Sequence, residues 1–121
     1  MLTIDANVFV SASSPVDASS IDSDGFLLCI RQSGLRVYCP TLLLPEVTSA
    51  IMRPTANSNA AFITIASVKT FPNINFVSLT DRSADDTVRI ALLCRLRGAD
   101  AIYAAVAQTY GTTLWLFAHP L

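Results

Sequence analysis

Arg97-Gly98-Ala99-Asp100-Ala101-Ile102-Tyr103-Ala104-Ala105-Val106-Ala107, followed through Tyr110 and Gly111 into Thr112–Phe117, is the stretch that decides the class of fold. From Asp100 to Tyr110 small and apolar residues recur at helical spacing, and Gly111 lets the chain leave that helix. Thr112 to Phe117 then reads as a strand, apolar for most of its length and without polar alternation. Working upstream, the same alternation of helix and strand repeats. Ser83 to Arg97 predicts a long helix with Gly98 as its break, and Ile74 to Leu79 a strand flanked by Pro72 and Asp81. Asn57 to Lys69 has roughly helical spacing. Thr41 to Met52 predicts a helix stopped before Pro54, with Pro45 in the first turn, where a missing N–H costs least. Arg36 to Cys39 reads as a strand ended by Pro40. Phe26 to Ile30 supplies the buried face of a helix that Ser20 caps and Gly34 stops. Ser13, Ser14, Pro15, Ser19 and Ser20 mark a loop, and Leu2 to Ile4 is a short buried strand running into Asp5. Apolar strands alternating with helices mean a parallel sheet covered on both faces. The expected fold class is therefore α/β, a three-layer α/β/α arrangement with a mainly parallel central sheet, in a single domain spanning residues 1–121.

Composition sets the outer bounds. The 121 residues are 52% hydrophobic and 14% charged, enough to build a core without disulfides or a structural metal. A mean hydropathy of +0.50 is high for a domain of this size and points to an apolar surface buried in an oligomer, a homodimer by default, with composition alone not separating it from a heterodimer. No apolar run approaches the roughly 18 to 20 residues of a membrane helix. Asp5, Asp17, Asp22 and Asp24 precede the first basic residue, Arg31, which is the reverse of a secretory signal, so a cytoplasmic location is expected. Cys29, Cys39 and Cys94 lie in apolar runs without C-x-x-C spacing and read as buried free thiols. With His119 the only histidine, a zinc site is not expected. The formal charge of −1 argues against tight non-specific binding to nucleic acid. It leaves room for an enzyme that meets one phosphodiester through a bound metal.

In an open parallel sheet, function gathers at the carboxyl ends of the strands. Asp5 ends the first strand, Glu46 lies in the helix after the second, and Asp100 begins the helix leading into the last. Asp5 alone fits a turn equally well, and Asp100 alone fits a first-turn acid. Glu46 stands between Leu42, Leu43, Leu44 and Val47, where a carboxylate is costly unless paired or metal-bound. Together the three form a self-repelling set that Mg²⁺ or Mn²⁺ relieves, and hard oxygen ligands suit such ions.

These residues resemble a known family. Ile4-Asp5-Ala6-Asn7-Val8-Phe9-Val10 is similar to the opening motif of PIN domains. Pro40-Thr41-Leu42-Leu43-Leu44-Pro45-Glu46-Val47 resembles the second motif, and Arg97 to Ala107 matches the family's R-G-x-D-A helix start most closely. The motifs occur in the family's order across nearly the whole chain. The resemblance implies a metal-dependent endoribonuclease, often the toxin of a toxin–antitoxin pair, with an RNA substrate and an antitoxin partner. It implies Asp5 and Asp100 as principal metal ligands, Glu46 as a ligand directly or through water, and Asn7 orienting the scissile phosphate or water. The last motif departs from the pattern. Leu116 and Ala118 stand where threonine and aspartate are expected, and His119 is one position off and a poor Mg²⁺ ligand.

Other chemistries fit less well. A haloacid-dehalogenase-type phosphatase needs an aspartate where Asn7 stands, and no G-x-G-x-x-G follows the first strand. Of the arginines, Arg89 has the spacing of an exposed ion pair with Asp85 or Asp86, and only Arg97, beside Asp100, is read as substrate-binding. Ala101 to Val106 reads as core packing or dimer surface. Two functions remain open: a metal-dependent ribonuclease, favoured by the three acids, and a catalytically weak or inactive module binding RNA or a protein, favoured by Ala118.

Overall fold

Leu2, Thr3 and Ile4 are buried throughout, and their backbone forms strand β1 (Leu2–Ile4) at the middle of the sheet. The structure, a computed structural model, describes residues 1–14 and 20–115. Along the chain β1 is followed by α1 (Ala6–Ser13), α2 (Ser20–Ser33), β2 (Val37–Pro40), α3 (Leu43–Thr55) and α4 (Ser58–Lys69). Then come β3 (Ile74–Val77), α5 (Asp81–Cys94), α6 (Gly98–Tyr110) and β4 (Thr113–Trp115). The strand order is β3-β2-β1-β4 and every pairing is parallel. Leu2 lies opposite both Val37 and Thr113, and Pro40 opposite Val77. Helix α6 packs on β1, β2 and β4 and carries α5, whereas α1 packs with α2, α3 and α4. The result is the expected three-layer α/β/α fold around a parallel sheet.

The core follows from strand composition. Ile4, Val37 and Cys39 are fully buried and meet Leu43 and Val47 of α3 and Tyr103 of α6. Phe9 of α1 meets Phe71 edge-to-face at 5.7 Å, a favoured aromatic geometry. Ala101, Ala105, Val106 and Ala107 are buried too, so much of the alanine-rich stretch is core. Small residues there let α6 lie close to the sheet.

Several local expectations are corrected. Residues 6–13 form a helix, α1, begun by Asp5, whose side chain accepts from the Asn7 N–H at 3.4 Å. Ser13 therefore belongs to a helix rather than a loop, and Ser20 is already inside α2. Helix α3 does not stop before Pro54 but runs to Thr55, ending at Ala56 in the left-handed region, whose N–H reaches the Met52 carbonyl at 2.9 Å. Proline is tolerated there because the helix ends within the same turn, so one missing bond disrupts little. Helix α5 starts earlier, at Asp81, because Thr80 and Ser83 close a reciprocal cap. It ends earlier as well, with Arg95 at φ 53°, and Gly98 is the first residue of α6 rather than a break. Among α5 residues only Thr87 is buried, so little packing holds its far end in helix. The Arg89–Asp86 pair forms, at 3.9 Å on an exposed face. Cys29 and Cys94 are exposed, against the expectation that all three thiols are buried. Their apolar runs wind around helices, so neighbours such as Leu27 and Ile30 point inward while Cys29 points out. Among the described residues no helix is long and apolar enough to cross a membrane.

Candidate active site

The first acid is placed by the turn from strand to helix. Asp5 closes β1 with its N–H donating to the Trp115 carbonyl at 3.1 Å, and it is 6% exposed. Its extended backbone and short side chain make it the N-cap of α1. Asn7 donates twice to it, from the backbone to Oδ1 and from Nδ2 to Oδ2, each at 3.4 Å. Asn7 thus holds both carboxylate oxygens of Asp5 in orientation.

Glu46 sits in the first turn of α3, between buried Leu43 and Val47, and is half-buried rather than enclosed. Tyr103, 1% exposed, donates its hydroxyl to Glu46 Oε1 at 2.7 Å. Asp100 lies in the first turn of α6, where the helix dipole favours an acid, and pairs with Arg97 Nε at 3.4 Å. Arg97 is 85% exposed at its side chain, so the pair is open to solvent. The charge environment of Glu46 shows which groups are neighbours. Burial raises its proton affinity and the Tyr103 hydroxyl lowers it; Asp5 and Asp100 raise it and Arg97 lowers it. The fold therefore brings Asp5, Glu46, Asp100 and Arg97 into one electrostatic neighbourhood at the carboxyl edge of the sheet.

The groove beside these groups has a volume of about 460 Å³ and is lined by Ala6, Asn7, Pro45, Glu46, Ser49, Ala50, Arg53 and Arg97. Its small residues leave the Glu46 side open to a ligand.

Tyr103 is the side chain of the candidate site that reasoning from sequence missed. It was absorbed into an apolar helix, yet a buried tyrosine needs a partner for its hydroxyl, and it lies three residues after Asp100. That spacing was the available signal. Cys39 marks the floor beneath the acids: its thiol, 3.4 Å from the Ile4 carbonyl, is pushed up to about 12 by burial, with Asp5 adding to the effect. Cys39 therefore stays protonated and unreactive. A thiol reagent is expected to modify Cys29 and Cys94 promptly in the native protein and Cys39 only after denaturation; three fast thiols would contradict this placement.

The acids suit a hard divalent cation in donor chemistry, since all are carboxylates that oppose one another's charge. As they stand, no three acidic, histidine or cysteine side chains among the described residues are close enough to hold an ion. Leu116, Ala118 and His119 lie outside the described residues.

The parallel α/β/α fold is shared with several solved proteins. The sarcin-ricin-loop-cleaving toxin VapC20 of Mycobacterium tuberculosis superposes with a TM-score of 0.79 at 14% identity, covering 98% of this chain and 90% of the toxin. FitAcB of Neisseria gonorrhoeae gives 0.65 at 15% identity, covering 94% and 85%. PAE2754 of Pyrobaculum aerophilum gives 0.59 at 21% identity, covering 93% and 77%. No curated protein matches in sequence. The PIN domain model matches residues 2–117, and the chain belongs to the PIN domain family.

Proposed function

We propose that this PIN domain, as a single unit over residues 1–121, is an endoribonuclease dependent on Mg²⁺ or Mn²⁺. The observation that carries the reading is Glu46: Asp5 and Asp100 are near enough to raise its proton affinity, and Tyr103 holds one of its oxygens at 2.7 Å. Asp5 and Asp100 would hold the cation, and Glu46 would contribute through the oxygen Tyr103 does not engage. A divalent ion there supplies charge neutralisation at the scissile phosphate and lowers the pKa of an attacking water.

The chain's own side chains do the positioning. Asn7 fixes the orientation of the Asp5 carboxylate through two hydrogen bonds and lines the groove itself. Tyr103 limits the rotation of Glu46. Arg97 sets its guanidinium beside Asp100 at the groove wall, where it can meet a phosphate oxygen. The reading extends to a toxin paired with an antitoxin, which membership of the PIN family supports, and to action on RNA in the cytoplasm as a homodimer, for which the high mean hydropathy is the argument.

The test is direct. Structured and single-stranded RNA incubated with the protein is expected to be cut internally with Mg²⁺ or Mn²⁺ and left intact with excess chelator. Equal cutting with chelator would remove the metal from the account. Ala118, standing where the family's last aspartate is expected, favours a second reading, a catalytically weak or inactive module that binds RNA or a protein partner, and for RNA its signature is retention of intact RNA under both conditions.

A further inference from the structure

Arg53 faces the same groove as Glu46 and Arg97. Glu46 and Arg53 are joined by three- and four-residue steps through either Ser49 or Ala50, so they share one face of α3. Seven residues of helix separate Glu46 from Arg53 by roughly 10 Å. The floor between them is made of Ser49 and Ala50, with Ala6 and Pro45 alongside, all small or flat. Arg97 is engaged by Asp100, whereas Arg53 is exposed and forms no ion pair among the described residues. An arginine with its charge uncommitted, at the far end of a groove that holds Glu46 at its other end, is suited to an anion that the carboxylate itself repels. A linear polyanion lying in the groove would pass one phosphate near Glu46 and a neighbouring phosphate near Arg53.

From this we infer that Arg53 and the Ser49 hydroxyl form a subsite for the phosphate next to the scissile one, gripping the strand of a single-stranded RNA by its backbone. The inference rests on the nuclease reading for its direction along the groove, and its ligand is a phosphodiester rather than a base. Arginine suits this role because its planar fork can bond two phosphate oxygens at once. Such a contact adds affinity without sequence preference, and beside Arg97 it gives a protein of formal charge −1 a further local point of attraction for RNA.

The experiment measures binding of a fluorescently labelled, unpaired RNA oligonucleotide of mixed sequence to the full chain by anisotropy. It is run with chelator present, so that no cutting intervenes, across a series of NaCl concentrations. Arg53→Ala is expected to weaken binding about tenfold at low salt. It should also flatten the plot of log affinity against log salt by about 0.7, the value of one phosphate contact on a single strand. Arg53→Lys should retain most of the slope because it keeps the charge. Arg89→Ala, on α5 and outside the groove, should match the wild type. Unchanged affinity and slope in Arg53→Ala, or no RNA binding by the wild type, would overturn the subsite. The two readings separate cleanly. Wild-type protein that binds RNA through Arg53 but never cuts it with Mg²⁺ or Mn²⁺ sinks the nuclease reading alone. Metal-dependent cutting that Arg53→Ala leaves intact, with unchanged binding, sinks the subsite alone.

Discussion

Exchanging Asp5 or Asp100 for asparagine is expected to lower metal-dependent RNA cleavage on the order of 10²–10³-fold, the usual loss when one electrostatic contributor to a transition state is removed. The fold is expected to survive both changes. Asparagine at position 5 remains a good cap for α1, because its side-chain oxygen can still accept from the Asn7 N–H. At position 100 the exposed pair with Arg97 is lost, and pairs of that kind contribute little to stability. Each change also removes one negative charge facing Glu46, so metal-free protein should melt at the same temperature or higher. Thermal melts beside single-turnover cleavage rates check both halves. A variant that cuts RNA at the wild-type rate would place the chemistry elsewhere. One that loses activity only because it unfolds would leave the assignment without support.

Tyr103→Phe is expected to have the next largest effect. It deletes a single hydroxyl in a buried position, leaving the ring to fill the same space between α6 and the sheet. Loss of an outer partner to a metal-binding carboxylate typically costs 10–100-fold in metal affinity or activity, and the hydrogen bond itself contributes about 1 kcal/mol to stability. The sign of the pH effect distinguishes a positioning role from a purely structural one. Burial raises the Glu46 pKa and the Tyr103 bond pulls it partly back. Without that bond the carboxylate protonates at higher pH as the solution is acidified, so the acidic limb of the cleavage profile should move upward. The linked effect on folding has the same origin. A carboxyl group with a raised pKa in the fold lends stability below its unfolded value and withdraws it as pH rises through the folded one. In metal-free protein, Tyr103→Phe should extend that loss of stability to higher pH. A destabilised variant with an unmoved pH limb would make Tyr103 a packing residue and no more.

Much of this was legible in the sequence because it depends on local pattern. The unalternating strands of Leu2–Ile4 and Val37–Cys39 require burial on both faces, and their separation by helical stretches requires parallel connections. Asp5, Glu46 and Asp100 stood out as candidates because Asp5 leaves a buried strand, Glu46 stands among apolar residues and Asp100 opens an alanine-rich helix. What escaped was set by packing between distant parts of the chain. Helix α1 is short and begins at an acid already assigned to chemistry, so its capping role was hidden. Pro54 could be read as a helix stop, but not as a residue tolerated in a last turn closed by Ala56. Cys29 and Cys94 sit in runs as apolar as that of Cys39, and only the phase of each helix decides which thiol faces water. The bond between Tyr103 and Glu46 spans 57 residues, and no local pattern announces a partner that far away. Arg53 was passed over for a similar reason: its meaning comes from the groove it shares with Arg97, 44 residues later.

The proposed nuclease rests on Asp5, Glu46 and Asp100 acting together as a cation site. Calorimetric titration of Mn²⁺ into metal-free protein, beside Asp100→Asn, tests it most directly. Saturable binding to the wild type that the variant loses is the predicted result. Absence of binding up to several millimolar Mn²⁺, or equal binding by both proteins, would contradict it.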